Sequence, residues 1–318
     1  MESGRRLFER LSTGEPTLRP AFAPLLSLLV SRVSGVSLRD LPSDPPQWAS
    51  ALVRTAELLD VDGVAFPADA SLLAEACGCP VSWEDGCPSV AGPAAAPAET
   101  PELRGRLKSA LEVAGMVFPG VRARRGCVSV LTGPGTVVAQ LFGPDGVSRL
   151  AEVKPIFVRL SELLCKERPD MICLWEEASS LLPQGELPAA CRRVYNTIRN
   201  ITSYYSIPLA VALVGYEPED LGTLAKLGVE IVIPGPSVGG TLLTAEEVLD
   251  CGATDLTLGL PLPLDDLPRA KEHLAVALRA RNAGRLRSFF LTGFEPGTRD
   301  FDLEGLQQLR QEIRTTFE

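Results

Sequence analysis

Histidine is nearly absent. The chain has one in 318 residues, His273, and it falls within the helical pattern KEHLAVALRA rather than at the end of an apolar run. With no other imidazole, neither a His-based nucleophile relay nor a His-bearing zinc site can be assembled, so His273 is read as a packing or surface residue. Positive charge is also scarce. Lys and Arg number 31 against 40 Asp and Glu, a formal net charge of −9, whereas nucleic-acid binding needs clustered cations. The one basic cluster, Arg122, Arg124 and Arg125, precedes an apolar run and reads as a solvated loop. Long apolar runs are missing too. Ala21 to Val33 is too short for a membrane span and contains Pro24, Ser27, Ser31 and Arg32, and MESGRRLFERLSTGE lacks the apolar core of a signal peptide. These absences predict a soluble cytoplasmic protein with neither nucleic acid nor membrane as partner.

What is present is enough for a full core, with 45% hydrophobic and 22% charged residues. Several of the eight cysteines lie inside apolar runs, as in RGCVSVL and MICLW, where a reduced thiol behaves as a small hydrophobe. Cys77, Cys79 and Cys87 do not have the spacing of a structural zinc site. The run IPLAVALVG, residues 207–215, opens with proline and closes with glycine in the manner of a buried parallel strand. Similar runs stand at 62–67, 127–131, 171–175, 230–233, 255–258 and 288–291, and with the Ala21 segment they make about eight strands, each followed by a helical pattern. That alternation predicts an α/β fold, a single (β/α)8 TIM barrel over residues 1–318, with 85–102 as a mobile loop. A doubly wound open sheet is the alternative, but no GxGxxG turn supports its dinucleotide-binding form.

In a barrel the chemistry sits just beyond the C-terminal strand ends. Those positions are Asp69, Gly133 to Thr136, Glu176 with Glu177, Tyr216 with Glu217, the loop GPSVGG, and Glu295. The set is acidic. Asp69, Glu176, Glu177 and Glu217 are the candidate acid–base or hydrogen-bond-accepting groups, and Tyr216, Gly133, Thr136 and Glu295 the candidate ligand contacts. For Glu177, which precedes ASSLL, capping of the following helix is an equal alternative.

The stretches RRLFERLSTGEP, DGVAFPADASLLAEACGCPV, TGPGTVVAQLFG, IPLAVALVGYEPEDLGTLAKLGVEIV and LTGFEPGTRDFDLEGLQ carry a further signal. Through them nearly the whole chain resembles the uroporphyrinogen decarboxylase superfamily, especially its methyltransferase branch, which works with corrinoid and thiol or folate partners. The resemblance implies the same (β/α)8 barrel. It also implies zinc ligands in a His-x-Cys-Gly pattern and in a cysteine near the C-terminus, but the matching positions here are Ala212, Val214 and Phe294. No zinc is therefore expected. Two arginines that hold substrate acid groups in the decarboxylase branch match Leu25 and Leu29, whereas Asp69 stands in a setting similar to that of the pyrrole-binding aspartate. An octacarboxylate at an acidic mouth would meet like-charge repulsion of roughly several kcal/mol, so a neutral or nitrogen-rich small-molecule heterocycle is expected. The resemblance thus implies a metal-independent protein binding a heterocyclic or tetrapyrrole-like ligand and transferring a methyl group, with a corrinoid or folate as cofactor and a corrinoid protein as partner. Two alternatives stay open: a cofactor-free decarboxylase of a pyrrole or aromatic acid, and a non-catalytic binding subunit.

Overall fold

The structure is a computed structural model describing residues 2–15, 17–25, 27–94, 98, 100–182, 185–252, 256–286, 288–294 and 302–317. Its strands are β1 (Gly63–Phe66), β2 (Val81–Glu84), β3 (Cys87–Val90), β4 (Gly126–Thr132), β5 (Met171–Glu177), β6 (Leu209–Val214), β7 (Ile231–Pro234), β8 (Thr257–Pro261) and β9 (Phe289–Thr292). Seven of them form one curled sheet in the order β1-β4-β5-β6-β7-β8-β9, with every pairing parallel. Successive residues face opposite sides, so each apolar run feeds two cores. Val128, Val130, Met171, Cys173, Ala210, Ala212, Ile231, Ile233 and Phe290 pack together inside the curl. Leu131, Ile172, Leu174, Leu209, Val211, Leu213, Val232 and Leu258 pack outward, against helices such as Gly105–Val121, Leu150–Lys166 and Ala189–Tyr204. His273 is buried in the helix Leu267–Asn282, in keeping with a packing role.

The N-terminal end of the curl is stoppered. Helix Gly4–Thr13 sends Leu7, Phe8 and Leu11 into the inner cluster. A Cβ on Gly63 would lie 2.6 Å from the Phe8 ring, and one on Gly126 would overlap it. Both glycines make room for that side chain.

The predicted strand beginning at Ala21 is present only as isolated bridges, Phe22 with Leu291 and Leu25 with Phe294. Ala23 N–H donates to Leu291 O (2.9 Å) and Leu25 N–H to Gly293 O (2.8 Å), while Phe22 O accepts from the amides of Asp62 (2.9 Å) and Gly63 (3.2 Å). The segment therefore touches both β9 and β1. Pro20 and Pro24 have no N–H to give, which prevents a continuous ladder, and the following residues turn into the helix Leu28–Ser34. The architecture is a curled parallel α/β sheet resembling a TIM barrel, and the eight-strand ladder expected from the sequence is reduced to seven strands plus these bridges. Part of the stretch expected as a mobile loop is also regular. β2 and β3 form an antiparallel hairpin across Asp85 (φ 52°) and Gly86 (φ 83°), the two positive angles that a tight hairpin turn demands. Residues 95–97 and 99 of that stretch lie outside the described residues.

Below the sheet, Asp62 ties distant segments together. Arg19 approaches it with both terminal nitrogens (2.7 and 2.8 Å), and Arg310 of the helix Leu303–Phe317 donates a third bond (2.9 Å). Among the described residues no helix is long and apolar enough to cross a membrane.

Candidate functional site

At the C-terminal end of the curl the inner cluster finishes in an apolar floor made by Leu25, Phe294, Ala68, Trp175 and Val214. The Trp175 and Phe294 rings meet edge to face with centroids 5.1 Å apart. Ala212 and Val214, two residues apart on β6, share this cluster with Phe294, so the three positions matched to zinc ligands converge on one region. Alkyl and phenyl groups offer a metal no lone pair, and these residues do not fit zinc. Cys173, one inward step below Trp175, is fully enclosed, and burial pushes its thiol up to about 12. It stays protonated at neutral pH and is no nucleophile. Among the described residues no group of three or more His, Cys, Asp or Glu side chains is placed to hold a metal ion.

Asp69 follows β1 at the rim and is held firmly. Its Oδ1 accepts from the N–H (2.8 Å) and hydroxyl (2.7 Å) of Ser71, and its Oδ2 from Arg106 Nη1 (2.5 Å). Arg106 spends its other donors on Glu75 (2.6 Å) and the Ser71 hydroxyl (2.8 Å), and its guanidinium lies 4.9 Å from the Trp83 ring of the hairpin. The side chains of Arg106 and Asp69 are 10% and 13% exposed. The sequence reading placed no arginine at this mouth, and Arg106 corrects it. Its one local signal was a cation in the first turn of helix Gly105–Val121, where the helix dipole disfavours positive charge. Such a residue needs acidic partners from elsewhere in the fold.

Glu176 has a different situation from Asp69. It points away from the mouth and is 0% exposed. Oε1 accepts from Gly135 N–H (2.9 Å) and the Tyr195 hydroxyl (2.7 Å), and Oε2 from Thr136 N–H (2.7 Å) and hydroxyl (2.6 Å). The loop TGPGT thus begins the helix Pro134–Phe142, with Pro134 in its first turn and Glu176 as the anion at its N-terminus. A Cβ on Gly133 would overlap the Glu176 carboxyl group, and one on Gly135 would lie 2.6 Å from Leu181. Burial pushes the Glu176 pKa up, against the pull of Thr136, Tyr195 and Gly135. Gly133 and Thr136 were expected to contact a ligand, and Glu176 to accept from its ring N–H groups. Here Gly135, Thr136 and Tyr195 fill the Glu176 carboxylate and leave it no free acceptor position for a ligand, while Gly133 donates its N–H to Trp175 O (2.7 Å) and packs against the carboxyl group.

Glu177 takes the next position on β5 and is exposed. Its N–H donates to Thr136 Oγ1 (2.7 Å), but its side chain makes no capping bond to the helix Ala178–Leu181. The helix-capping alternative is therefore not realised at Glu177. The residue borders an open cleft of about 540 Å³ shared with Thr136, Gln140, Ser179, Ser180 and the chain after β3. Glu217, beyond β6, is exposed and likewise makes no side-chain cap. Tyr216 does not line the mouth. It is 1% exposed and packed in the outer core, with its hydroxyl unpartnered and its pKa raised by burial. The intervening Gly215 (φ 63°) turns the chain and sends the ring outward. Glu295 lies outside the described residues.

The sequence profile of the uroporphyrinogen decarboxylase (URO-D) family matches residues 4–161. No curated protein matches the chain. Among solved structures, a methyltransferase from Methanosarcina mazei superposes with a TM-score of 0.77 at 17% identity, covering 100% of both chains. The pneumococcal virulence factor StrH gives a TM-score of 0.49 at 10% identity over 94% of this chain and 84% of that one. A mandelate racemase/muconate lactonizing enzyme from Jannaschia gives 0.43 at 16% identity over 88% and 56%.

Proposed function

We infer that this chain, which belongs to the uroporphyrinogen decarboxylase superfamily, binds a flat heterocyclic or tetrapyrrole-like ligand at the mouth of its sheet and takes part in zinc-independent methyl transfer involving a corrinoid. The observation that carries this reading is the floor of Trp175, Val214 and Phe294 at the place where the related methyltransferases would hold metal. Covering about 100 Å² of apolar surface contributes roughly 2.5 kcal/mol to binding, and a planar ring suits an edge of two aromatic side chains. Asp69, fixed by Arg106 and Ser71, is the acceptor for a ring N–H. Glu177, exposed and free of side-chain partners, is the proton carrier, with Glu217 as the second candidate. A bound corrinoid supplies the methyl group, and the chain's own residues orient the acceptor and move its proton. The likeness in fold to the Methanosarcina methyltransferase is compatible with this reading.

The same reading takes residues 21–25 as a reduced eighth strand and the chain as one cytoplasmic domain. The buried thiols of Cys77, Cys79, Cys127, Cys165, Cys173 and Cys191 suit a reducing compartment. A second reading, a non-catalytic binding subunit, is favoured by the protein donors that already occupy Asp69 and Glu176. Decarboxylation assisted by the negative charge of Asp69 is weakened by Arg106, which offsets that charge. The test is to add methylcobalamin and candidate acceptors to the purified protein and follow the corrinoid absorbance. Demethylation that is lost in Glu177→Gln supports methyl transfer. Tight corrinoid or heterocycle binding without turnover supports the binding subunit, and neither binding nor turnover refutes both.

A further inference from the structure

Three guanidinium groups share two aspartates at the stoppered end of the sheet, remote from the mouth. Asp62 is saturated: its Oδ1 accepts from Arg19 (2.8 Å) and Arg310 (2.9 Å), and its Oδ2 from Arg19 (2.7 Å) and the Phe22 amide (3.0 Å). Asp60 pairs with Arg314, and its carbonyl accepts from Arg310 Nε (2.8 Å). Glu2, the next acid near Arg19, is engaged with Arg6 and Arg10. Among the described residues, three positive groups here face two negative ones, which leaves a positive charge without a counter-charge.

That charge is buried. Arg310 is 4% exposed, and its Nη1, like Nε of Arg19 and of Arg314, is enclosed without a hydrogen-bond partner. Burial lowers the Arg310 pKa, with Arg19 and Arg314 adding to the effect, whereas bidentate pairing with Asp62 more than offsets burial at Arg19. A buried cation with an unused donor is a costly arrangement unless an anion completes it. Arg310 and Arg314 line a cleft of about 460 Å³ together with Asp60, Gln307, Gln311 and Thr315. Around the two arginines stand one carboxylate, Asp60, already paired with Arg314, and the neutral side chains of Gln307, Gln311 and Thr315. Two guanidinium groups against one carboxylate leave room for an oxyanion that accepts several bonds at once.

We propose that this cleft binds the phosphate group of a small metabolite. Its volume exceeds that of bare phosphate and leaves room for the rest of a phosphate monoester. The test uses the full-length chain, with inorganic phosphate and glycerol phosphate as probes and sodium chloride at matched ionic strength as control, read by calorimetric titration and melting temperature. Saturable binding is expected, weakened at least tenfold in Arg314→Gln. Gln311→Glu keeps all three arginines and changes an exposed position, so it folds, and the carboxylate it adds beside Arg314 weakens phosphate at least tenfold as well. Tighter binding of the monoester supports the metabolite, and equal affinity for the two probes supports the phosphate site with the free ion as its occupant. A melting response no larger than that to chloride, or phosphate affinity unchanged in Gln311→Glu, overturns the proposal.

Discussion

Glu176→Ala removes the carboxylate that joins β5 to the helix Pro134–Phe142, and its effect can be worked from the bonds. Four donors lose that acceptor; the Thr136 hydroxyl can rotate its proton elsewhere, which leaves three, the amides of Gly135 and Thr136 and the Tyr195 hydroxyl, as fixed orphans inside the protein. Each buried orphan costs about 1–3 kcal/mol. Water entering the space left by the side chain favours the low end, so the three together cost roughly 3–4 kcal/mol. The helix also loses an anion at its N-terminus, about 1 kcal/mol. Against this, the variant no longer has to bury an ionisable group, a relief of about 1–2 kcal/mol after the donors are counted. The net expectation is a loss of about 3 kcal/mol, a large share of the roughly 5–15 kcal/mol that stabilises a folded domain. Urea unfolding followed by circular dichroism measures it as a lower midpoint at unchanged slope. A loss under about 1 kcal/mol refutes the anchoring role. If that small loss came with abolished ligand binding, Glu176 would be a binding residue after all, as its place at a strand end first suggested.

The same carboxyl gives a pH test. Its pKa is raised on folding, so the folded state holds the proton more tightly, and the resulting stability is fully present below the unfolded value of about 4.3 and is lost as pH rises through the folded value. The stability of the wild type relative to Glu176→Gln should therefore fall from about pH 4.3 upward, and a difference that grows with pH refutes this sign. Gly133→Ala, at an ordinary extended backbone (φ −77°, ψ 164°), should cost about 2 kcal/mol through collision with the Glu176 carboxyl. That cost should nearly vanish in a Glu176→Ala background, and additive losses contradict the contact. Wild-type protein should show no stoichiometric zinc by elemental analysis, whereas Ala212→His, Val214→Cys and Phe294→Cys combined should take up about one zinc per chain. Zinc in the wild type refutes the claim that these apolar residues do not fit the metal, and none in the triple variant refutes the claim that the three positions converge.

Much of the sheet was readable from period and punctuation. Runs such as 171–175 and 208–214 are too short for helices, carry the two-faced apolar content of a parallel sheet, and occur as strands within a few residues of the expected bounds. The hairpin was not foreseen although Asp85-Gly86 marks its turn, because its flanking strands, VSWE and CPSV, are short and only half-buried. TGPGT is rich in turn residues and reads as a loop, yet proline in a first turn after glycine also starts a helix, here Pro134–Phe142. The site was less legible. Position after a strand end locates a residue along the barrel axis but leaves its direction open. Glu176 and Glu177 are adjacent and face opposite ways, and Tyr216 is turned outward by Gly215. Arg106 reaches Asp69 across 37 positions of sequence, a pairing no local pattern encodes.

Residues 21–25 touch β1 early in the chain and β9 near its end, with the Thr292 hydroxyl bonding Ala23 O across 269 positions of sequence. During synthesis this segment and β1 must wait for almost the entire polypeptide before their far edge is covered. An uncovered strand edge recruits strands from other chains. Pro20 and Pro24, which interrupt the ladder in the finished sheet, also remove the amide donors that such an intruder would need. The break in the eighth strand therefore doubles as protection for a nascent chain whose last closing contacts arrive late.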